Sequence, residues 1–134
     1  MSILVDSSVW SLVLRRKEKS NHPAAILLRR RLDEKAGLCL TGVIYQEVLQ
    51  GIRSDTLYQS VKSYLDDFEF LEVNLGLHAK AAGLFSRCRR SGIQAQTIDC
   101  LIATLSIHYD SPLLTTDPDF SHIARVSSLK LVDY

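Results

Sequence analysis

Four acidic residues of this 134-residue chain stand in surroundings where a carboxylate is unexpected. Asp6 ends a short apolar run, and Asp117 follows the sequence Leu-Leu-Thr-Thr. Glu47 and Asp99 lie among the apolar residues of two segments with helical spacing. Because a charged side chain is rarely buried without a partner, the four are candidates for one shared site.

Convergence of these carboxylates would require a cation. Each acid would raise the pKa of the others unless positive charge neutralised them. Hard divalent ions take oxygen ligands, and Mg²⁺ in particular binds a few carboxylates together with waters and substrate phosphates. Convergence therefore predicts a Mg²⁺ or Mn²⁺ site, and hydrolysis of a phosphodiester is the reaction that such a site serves best.

Each acid also has a structural interpretation that remains open at this stage. Asp6 could cap the helix that follows it, and Asp99 could balance the dipole of its helix. Asp117, Pro118 and Asp119 could form a turn with proline at its second position. Glu47 is the hardest to explain in this way, since no lysine or arginine lies three or four residues from it.

The elements that would position these acids alternate between strands and helices. Strands are predicted at residues 3–6, 38–40, 68–73 and 112–115, with a possible last one at 129–132. Helices are predicted from Ser7 or Ser8, from Pro23, from Thr41 to about Gly51, across 57–68, across 77–88 and from Thr97. Short apolar strands alternating with helices predict a parallel sheet covered on both faces. Sites in such sheets form beyond the carboxyl ends of the strands, where Asp6 and Asp117 would meet.

The composition is that of an ordinary globular protein, with 46% apolar residues, 23% charged residues and a net charge of +1. It predicts one domain over residues 1–134, without disorder and without a membrane span. The odd count of three cysteines, Cys39, Cys88 and Cys100, has no CxxC pairing. We therefore expect buried free thiols in a reducing compartment, namely the cytoplasm.

Basic residues are clustered even though the net charge is close to zero. Three clusters, at residues 15–19, 29–31 and 87–90, could form a rim that contacts nucleic-acid phosphates. The candidate RNA-binding residues are Arg15, Arg16, Arg87, Arg89 and Arg90. The other interpretation is a solvated helix end, where cations suit the helix dipole. In the first interpretation, the net charge of +1 combines acidic residues that bind a metal with basic residues that remain available for phosphates.

Several motifs occur in order along the chain: Asp6 with Ser8, Glu47 with Gly51, Asp99 followed by Leu-Ile-Ala, and the segment Thr115-Thr-Asp-Pro-Asp-Phe120. Together they resemble the motifs of PIN-domain ribonucleases, and the size and element order resemble the VapC-type toxins of VapBC toxin–antitoxin pairs. The resemblance runs from residue 3 to about residue 120. Two departures from the family pattern are Pro118, before Asp119, and Cys100, after Asp99.

The resemblance implies a three-layer α/β/α sandwich with a short, mostly parallel central sheet. It implies that Asp6, Asp99 and Asp117 are metal ligands and that Glu47 binds metal or positions the attacking water. Asp119 would be an auxiliary carboxylate or would exchange roles with Asp117. Ser8 and Thr115 would be hydroxyls that orient a carboxylate or a water at the metal.

The same resemblance implies a Mg²⁺- or Mn²⁺-dependent endoribonuclease acting on transfer RNA or another structured RNA. A VapB-type antitoxin would neutralise it, and a homodimer is expected. One alternative is a PIN-domain binding protein that acts mainly through an antitoxin and DNA complex. A phospho-receiver is a more distant alternative, because Asp6 has no acidic neighbour and residues 113–115 include no lysine.

Overall fold

Four short parallel strands form the centre of the protein in a computed structural model that describes residues 2–14, 19–34 and 37–134. The strands are β1 (Ile3–Val5), β2 (Leu38–Thr41), β3 (Glu69–Leu71) and β4 (Leu113–Leu114). Their order in the sheet is β3-β2-β1-β4. The strands at the two ends of the chain are therefore neighbours, with Leu4 paired to Leu113 and Val5 to Leu114.

Seven helices within the described residues connect and cover these strands. They are α1 (Ser7–Leu14), α2 (Pro23–Asp33), α3 (Gly42–Gln50), α4 (Asp55–Leu65), α5 (Leu75–Arg90), α6 (Thr97–His108) and α7 (Asp119–Arg125). Crossovers between parallel strands are right-handed, so the connections β1–β2 and β2–β3 put α1 to α4 on one face. The connection from β3 back to β4 puts α5 and α6 on the other face. The predicted three-layer α/β/α sandwich is confirmed.

Side-chain caps start several of these helices. Thr41 accepts a hydrogen bond from the backbone N–H of Ile44, and Ser54 and Asn74 do the same for Leu57 and Leu77. Such a cap satisfies a backbone donor that has no partner within the helix and typically contributes about 1 kcal/mol. The Thr41 cap also fixes where α3 begins, directly after β2, and so where Glu47 lies.

The position of β1 in the core explains why all its residues are apolar. Ile3, Leu4 and Val5 are all buried, because helices cover both faces of this central strand. Trp10 on α1 is fully buried and packs edge-on against Phe68 at 5.5 Å between ring centres. Full burial of a large apolar side chain contributes roughly 1.5–3 kcal/mol, which anchors α1 to the core.

The structure corrects several predicted boundaries. The strand predicted at 68–73 extends only over Glu69–Leu71, and that predicted at 112–115 only over Leu113–Leu114. Residues 129–132 form no strand, since only Leu131 makes a bridge to β4. Helix α7 was not predicted, because Asp117-Pro-Asp suggested a turn. Ser8 does not cap α1, which begins one residue earlier.

Two further predictions concern the whole chain. Cys39, Cys88 and Cys100 are all buried and free, as predicted. Among the described residues, no helix is both long enough and apolar enough to cross a membrane.

Candidate metal centre

Asp6 lies at the carboxyl end of β1, and its side chain is held in place by two hydroxyls. Ser8 Oγ donates to Asp6 Oδ2 at 2.7 Å, and Thr115 Oγ1 donates to the same oxygen at 2.8 Å. Asp6 is only 4% exposed. Both hydroxyls bind one carboxylate oxygen, so the other, Oδ1, is left for a further partner.

The two hydroxyls belong to a longer network that joins α1 to the loop after β4. Ser8 Oγ and Thr115 Oγ1 lie 3.3 Å apart. The backbone N–H of Thr116 donates to Ser8 Oγ at 3.1 Å, and that of Asp117 donates to Thr115 Oγ1 at 3.0 Å. The loop that carries Asp117 is thereby fixed relative to Asp6, as a ligand pair requires.

Three more carboxylates gather beside this network. Asp99 in the first turn of α6, Asp117 in the loop and Asp119 at the start of α7 each place an oxygen within 4.8 Å of the others. The backbone N–H of Asp119 donates to Asp117 Oδ1 at 2.9 Å, which orients the Asp117 carboxylate. Despite the preceding Pro118, Asp119 is directed toward the other acids.

The pKa of Asp99 depends on the four other acids of the candidate site. Burial raises the pKa of Asp99 to about 6, and repulsion from other carboxylates adds to this effect. The carboxylates responsible are, from the largest effect to the smallest, Asp117, Asp6, Asp119 and Glu47. Asp99, Asp117 and Asp119 thus form the close group, whereas Asp6 and Glu47 lie outside it but near enough to repel Asp99.

Glu47 projects from α3 toward the same centre. Burial raises the pKa of Glu47, and repulsion from Asp6 and Asp117 raises it further. A hydrogen bond from Ser7 partly opposes the shift. Glu47 Oε1 is buried and has no hydrogen-bond partner among the described residues. Ser7 was not identified from the sequence, because no spacing rule connects it to a glutamate forty residues later.

These features fit a divalent cation. Neighbouring carboxylates make Asp99 and Glu47 costly to ionise without positive charge, and the buried Glu47 Oε1 lacks a compensating partner. An all-oxygen set of carboxylates suits Mg²⁺ or Mn²⁺ rather than a metal that prefers nitrogen or sulfur.

The arginines predicted to bind RNA have different environments. Arg15 and Arg16 lie outside the described residues. Arg87 Nη1 donates to the backbone carbonyl of Val126 at 3.3 Å. Arg89 instead lies over the ring of Phe85, 5.6 Å from its centre. Arg90 is exposed and lines a groove beside α6.

A family model described as the PIN domain matches residues 3–126 of this chain. The chain belongs to the PIN domain family. The matched range contains every carboxylate of the candidate site. The predicted family membership is confirmed.

Curated relatives of this PIN domain are similar over nearly their full length. The chain is 30% identical over 135 residues to the VapC ribonuclease Mb1587 of Mycobacterium bovis, a match that covers 98% of both chains. The same figures hold for ribonuclease VapC11 of Mycobacterium tuberculosis.

Solved structures share the fold at lower sequence identity. The structure of VapBC2 from Rickettsia felis, bound to a DNA fragment from its promoter, matches with a TM-score of 0.77 and 16% identity, covering 100% of this chain and 99% of that one. A DNA-bound VapBC from Salmonella typhimurium matches with a TM-score of 0.74 and 16% identity, covering 99% and 98%. These likenesses concern the fold.

Proposed function

We propose that this PIN domain is a Mg²⁺- or Mn²⁺-dependent endoribonuclease and the toxin of a VapBC-type toxin–antitoxin pair. One observation carries the proposal. Four carboxylates from separate parts of the chain surround Asp99: Asp117 and Asp119 each place an oxygen within 4.8 Å, and Asp6 and Glu47 add to the effect of burial, which raises the pKa of Asp99 to about 6. The curated relatives at 30% identity, which are named ribonucleases, support the choice of RNA as substrate.

In the proposed site, Asp6, Asp99 and Asp117 would hold the metal. A bound divalent cation supplies Lewis acidity, which makes hydroxide available near neutral pH and stabilises negative charge on a phosphate. The hydrogen bonds from Ser8 and Thr115 keep Asp6 from turning away from the centre. Asp119 adds an exposed auxiliary carboxylate.

Glu47 would act on the attacking water. Its unpartnered Oε1 can accept a hydrogen bond from that water and position it, and its raised pKa suits it to accept a proton. The water oxygen forms a new bond to phosphorus while the bond from phosphorus to the 3′ oxygen breaks. Proton transfer to that leaving oxygen gives a 3′-hydroxyl and a 5′-phosphate.

The proposed partners are an RNA substrate, with transfer RNA first among structured RNAs, a VapB-type antitoxin and a second copy of this chain. The antitoxin is supported by structural neighbours that are VapBC complexes. The three free cysteines support action in the cytoplasm, where thiols stay reduced.

The test is cleavage of structured RNA by the purified chain in Mg²⁺, in Mn²⁺ and in EDTA, with sequencing of both new ends. We expect cutting that requires metal and leaves 5′-phosphates. Cutting that persists in EDTA, or that leaves cyclic phosphates, would show that the 2′-hydroxyl attacks instead. A chain that cuts no RNA but still forms a tight antitoxin complex would favour the binding-protein alternative.

A further inference from the structure

A basic groove lies between α5, α6 and the segment that follows α7, away from the five carboxylates. It has a volume of about 510 Å³. Its basic lining residues are Lys80, Arg87 and Arg90 from α5 and His108 from α6, and Ser127 and Ser128 add hydroxyls. No acidic residue is among those that line it. We call this feature the α5–α6 groove.

The cations of the groove are free to bind an anion. Within the described parts of the chain, the single ion pair joins Lys62 to Asp66, so neither Lys80 nor Arg90 is neutralised. Arg87 donates one hydrogen bond to the backbone carbonyl of Val126, and this bond holds the Arg87 guanidinium at the groove. A guanidinium has five N–H donors, so several remain for a phosphate.

The helix dipole accounts for two of the three cations on α5 but not for Lys80. Arg87 and Arg90 occupy the last turn of α5, where cations suit the dipole. Lys80 lies about two turns earlier, beyond the range of that effect, yet the three share one helix face. Arg89, in the same last turn, points to Phe85 instead. Lys80, Arg87 and Arg90 therefore line the same groove, whereas Arg89 does not.

Two helices connect the groove to the carboxylates. Helix α6 carries Asp99 in its first turn and His108 at its end, a distance of roughly 13 Å along the helix axis. Helix α7 begins at Asp119, and Ser127 follows its last turn. This separation equals the length of a few nucleotides, and a strand joining the two places would pass beside α6, whose residues from Cys100 to Ser106 are buried.

We infer that the α5–α6 groove binds backbone phosphates of the RNA at a short distance from the bond that is cut. This inference rests on the proposed ribonuclease function and assigns the groove to that substrate. The groove contacts would fix the register of the strand without reading bases, since they are ionic and the lining offers no aromatic residue apart from the imidazole of His108.

The experiment measures binding of unfractionated transfer RNA across a range of salt concentrations. All proteins carry Asp99→Asn, so that the RNA is not consumed. The groove variants are Lys80→Gln and Arg90→Gln, measured singly and together. The matched control is Arg31→Gln, which removes the same charge from the cluster at residues 29–31, beside residues of β2 and β3 rather than in the groove. Arg89→Gln is included for comparison with Arg90→Gln, because the two arginines are adjacent in the last turn of α5 but only Arg90 lines the groove.

We expect each groove variant to weaken binding and to lower the slope of log affinity against log salt by about 0.7. Arg31→Gln should leave the slope unchanged, and Arg89→Gln should change it less than Arg90→Gln. Equal slopes for the groove variants and Arg31→Gln would overturn the inference. This holds even if the groove variants weakened binding of an antitoxin, because the groove would then serve a protein rather than RNA. Because all the substituted side chains are cations at or near the surface, the melting temperatures of the variants should agree. If Arg90→Gln does not fold, Lys80→Gln alone decides the outcome.

The outcome separates this inference from the proposed function. Cleavage of RNA by the chain with Asp99 intact tests the ribonuclease, whereas the salt slope tests the groove. If the chain cuts RNA with metal but its RNA affinity does not depend on Lys80 and Arg90, the proposed function stands and the groove is not an RNA-binding site.

Discussion

Thr115 Oγ1 donates a hydrogen bond to Asp6 Oδ2 at 2.8 Å, although the two residues are 109 positions apart in the chain. Strands β1 and β4 are neighbours in the sheet, so the residues that follow them meet at its carboxyl edge. The same Thr115 oxygen accepts a hydrogen bond from the backbone N–H of Asp117. One hydroxyl thus positions two of the proposed metal ligands.

Thr115→Val should lower RNA cleavage and Mn²⁺ affinity by roughly 10- to 100-fold, because removing a group that orients metal ligands typically has this effect. Thr115→Ser keeps the hydroxyl and should retain most of the activity. Cleavage rates and Mn²⁺ titrations of both variants are the measurements. A valine variant as active as the serine variant would mean that the hydrogen bond to Asp6 does not matter for catalysis.

Asp99→Asn should reduce RNA cleavage by roughly 100-fold or more, since it removes charge that stabilises the metal and the transition state. The fold should survive, because asparagine has nearly the same shape and relieves repulsion among the acids. Circular dichroism and thermal melting in EDTA check the fold. A folded Asp99→Asn protein that cuts RNA at the native rate would exclude Asp99 from the site.

The stability of the metal-free protein should depend on pH through Asp99. Its pKa is raised from 3.8 to about 6 on folding, so between these values the folded state binds more protons than the unfolded state. The free energy of unfolding therefore falls as the pH rises from about 4 to about 6.

Asp99→Asn removes this dependence, so it should be more stable than the native chain at pH 7 in EDTA and equally stable near pH 4. The gain at pH 7 should be on the order of 1 kcal/mol, since the partly exposed carboxyl is screened by solvent. Urea unfolding at both pH values measures it. A native chain whose stability relative to Asp99→Asn rises with pH would contradict the sign of the shift.

Mn²⁺ should stabilise the native chain by neutralising the carboxylates. At a hundredfold excess over its dissociation constant the gain is about 2.7 kcal/mol, or roughly 10 °C in melting temperature. Glu47→Gln should reduce this gain and should also raise the melting temperature in EDTA, since Glu47 Oε1 then carries no charge. Glu72→Gln, at an exposed position, is the control and should behave as the native chain does.

Asp117→Asn should impair Mn²⁺ binding and cleavage more than Asp119→Asn does. Asp117 is partly buried and is oriented by a backbone hydrogen bond, whereas Asp119 is exposed. Parallel Mn²⁺ titrations of the two variants measure the difference. The reverse ranking would make Asp119 the closer ligand.

The sequence predicted the layered fold because local features specify it. The short apolar run before Asp6 is typical of a buried parallel strand, and Thr41 is an evident helix cap. Helix α7 was missed because Pro118 is compatible with both a turn and the start of a helix. The strand predicted at 129–132 makes only one bridge, since alternation of apolar residues does not by itself supply a pairing partner.

The sequence singled out the acids of the candidate site but not the contacts between them and their neighbours. Motif order along the chain pointed to Asp6, Glu47, Asp99 and Asp117. Spacing could not show that Ser7 bonds Glu47 or that Arg89 and Arg90, adjacent in sequence, face different surroundings. Those facts depend on packing between elements far apart in the chain.

The adjacency of β1 and β4 also bears on the order in which the protein is synthesised. A ribosome that has made residues 1–110 has already made Asp6, Glu47 and Asp99. The nascent chain at that stage still lacks Thr115 and Asp117, and β1 has no neighbour on one side. The carboxylate centre is therefore incomplete until Thr115 and Asp117 have been added to a chain that already carries Asp6, Glu47 and Asp99.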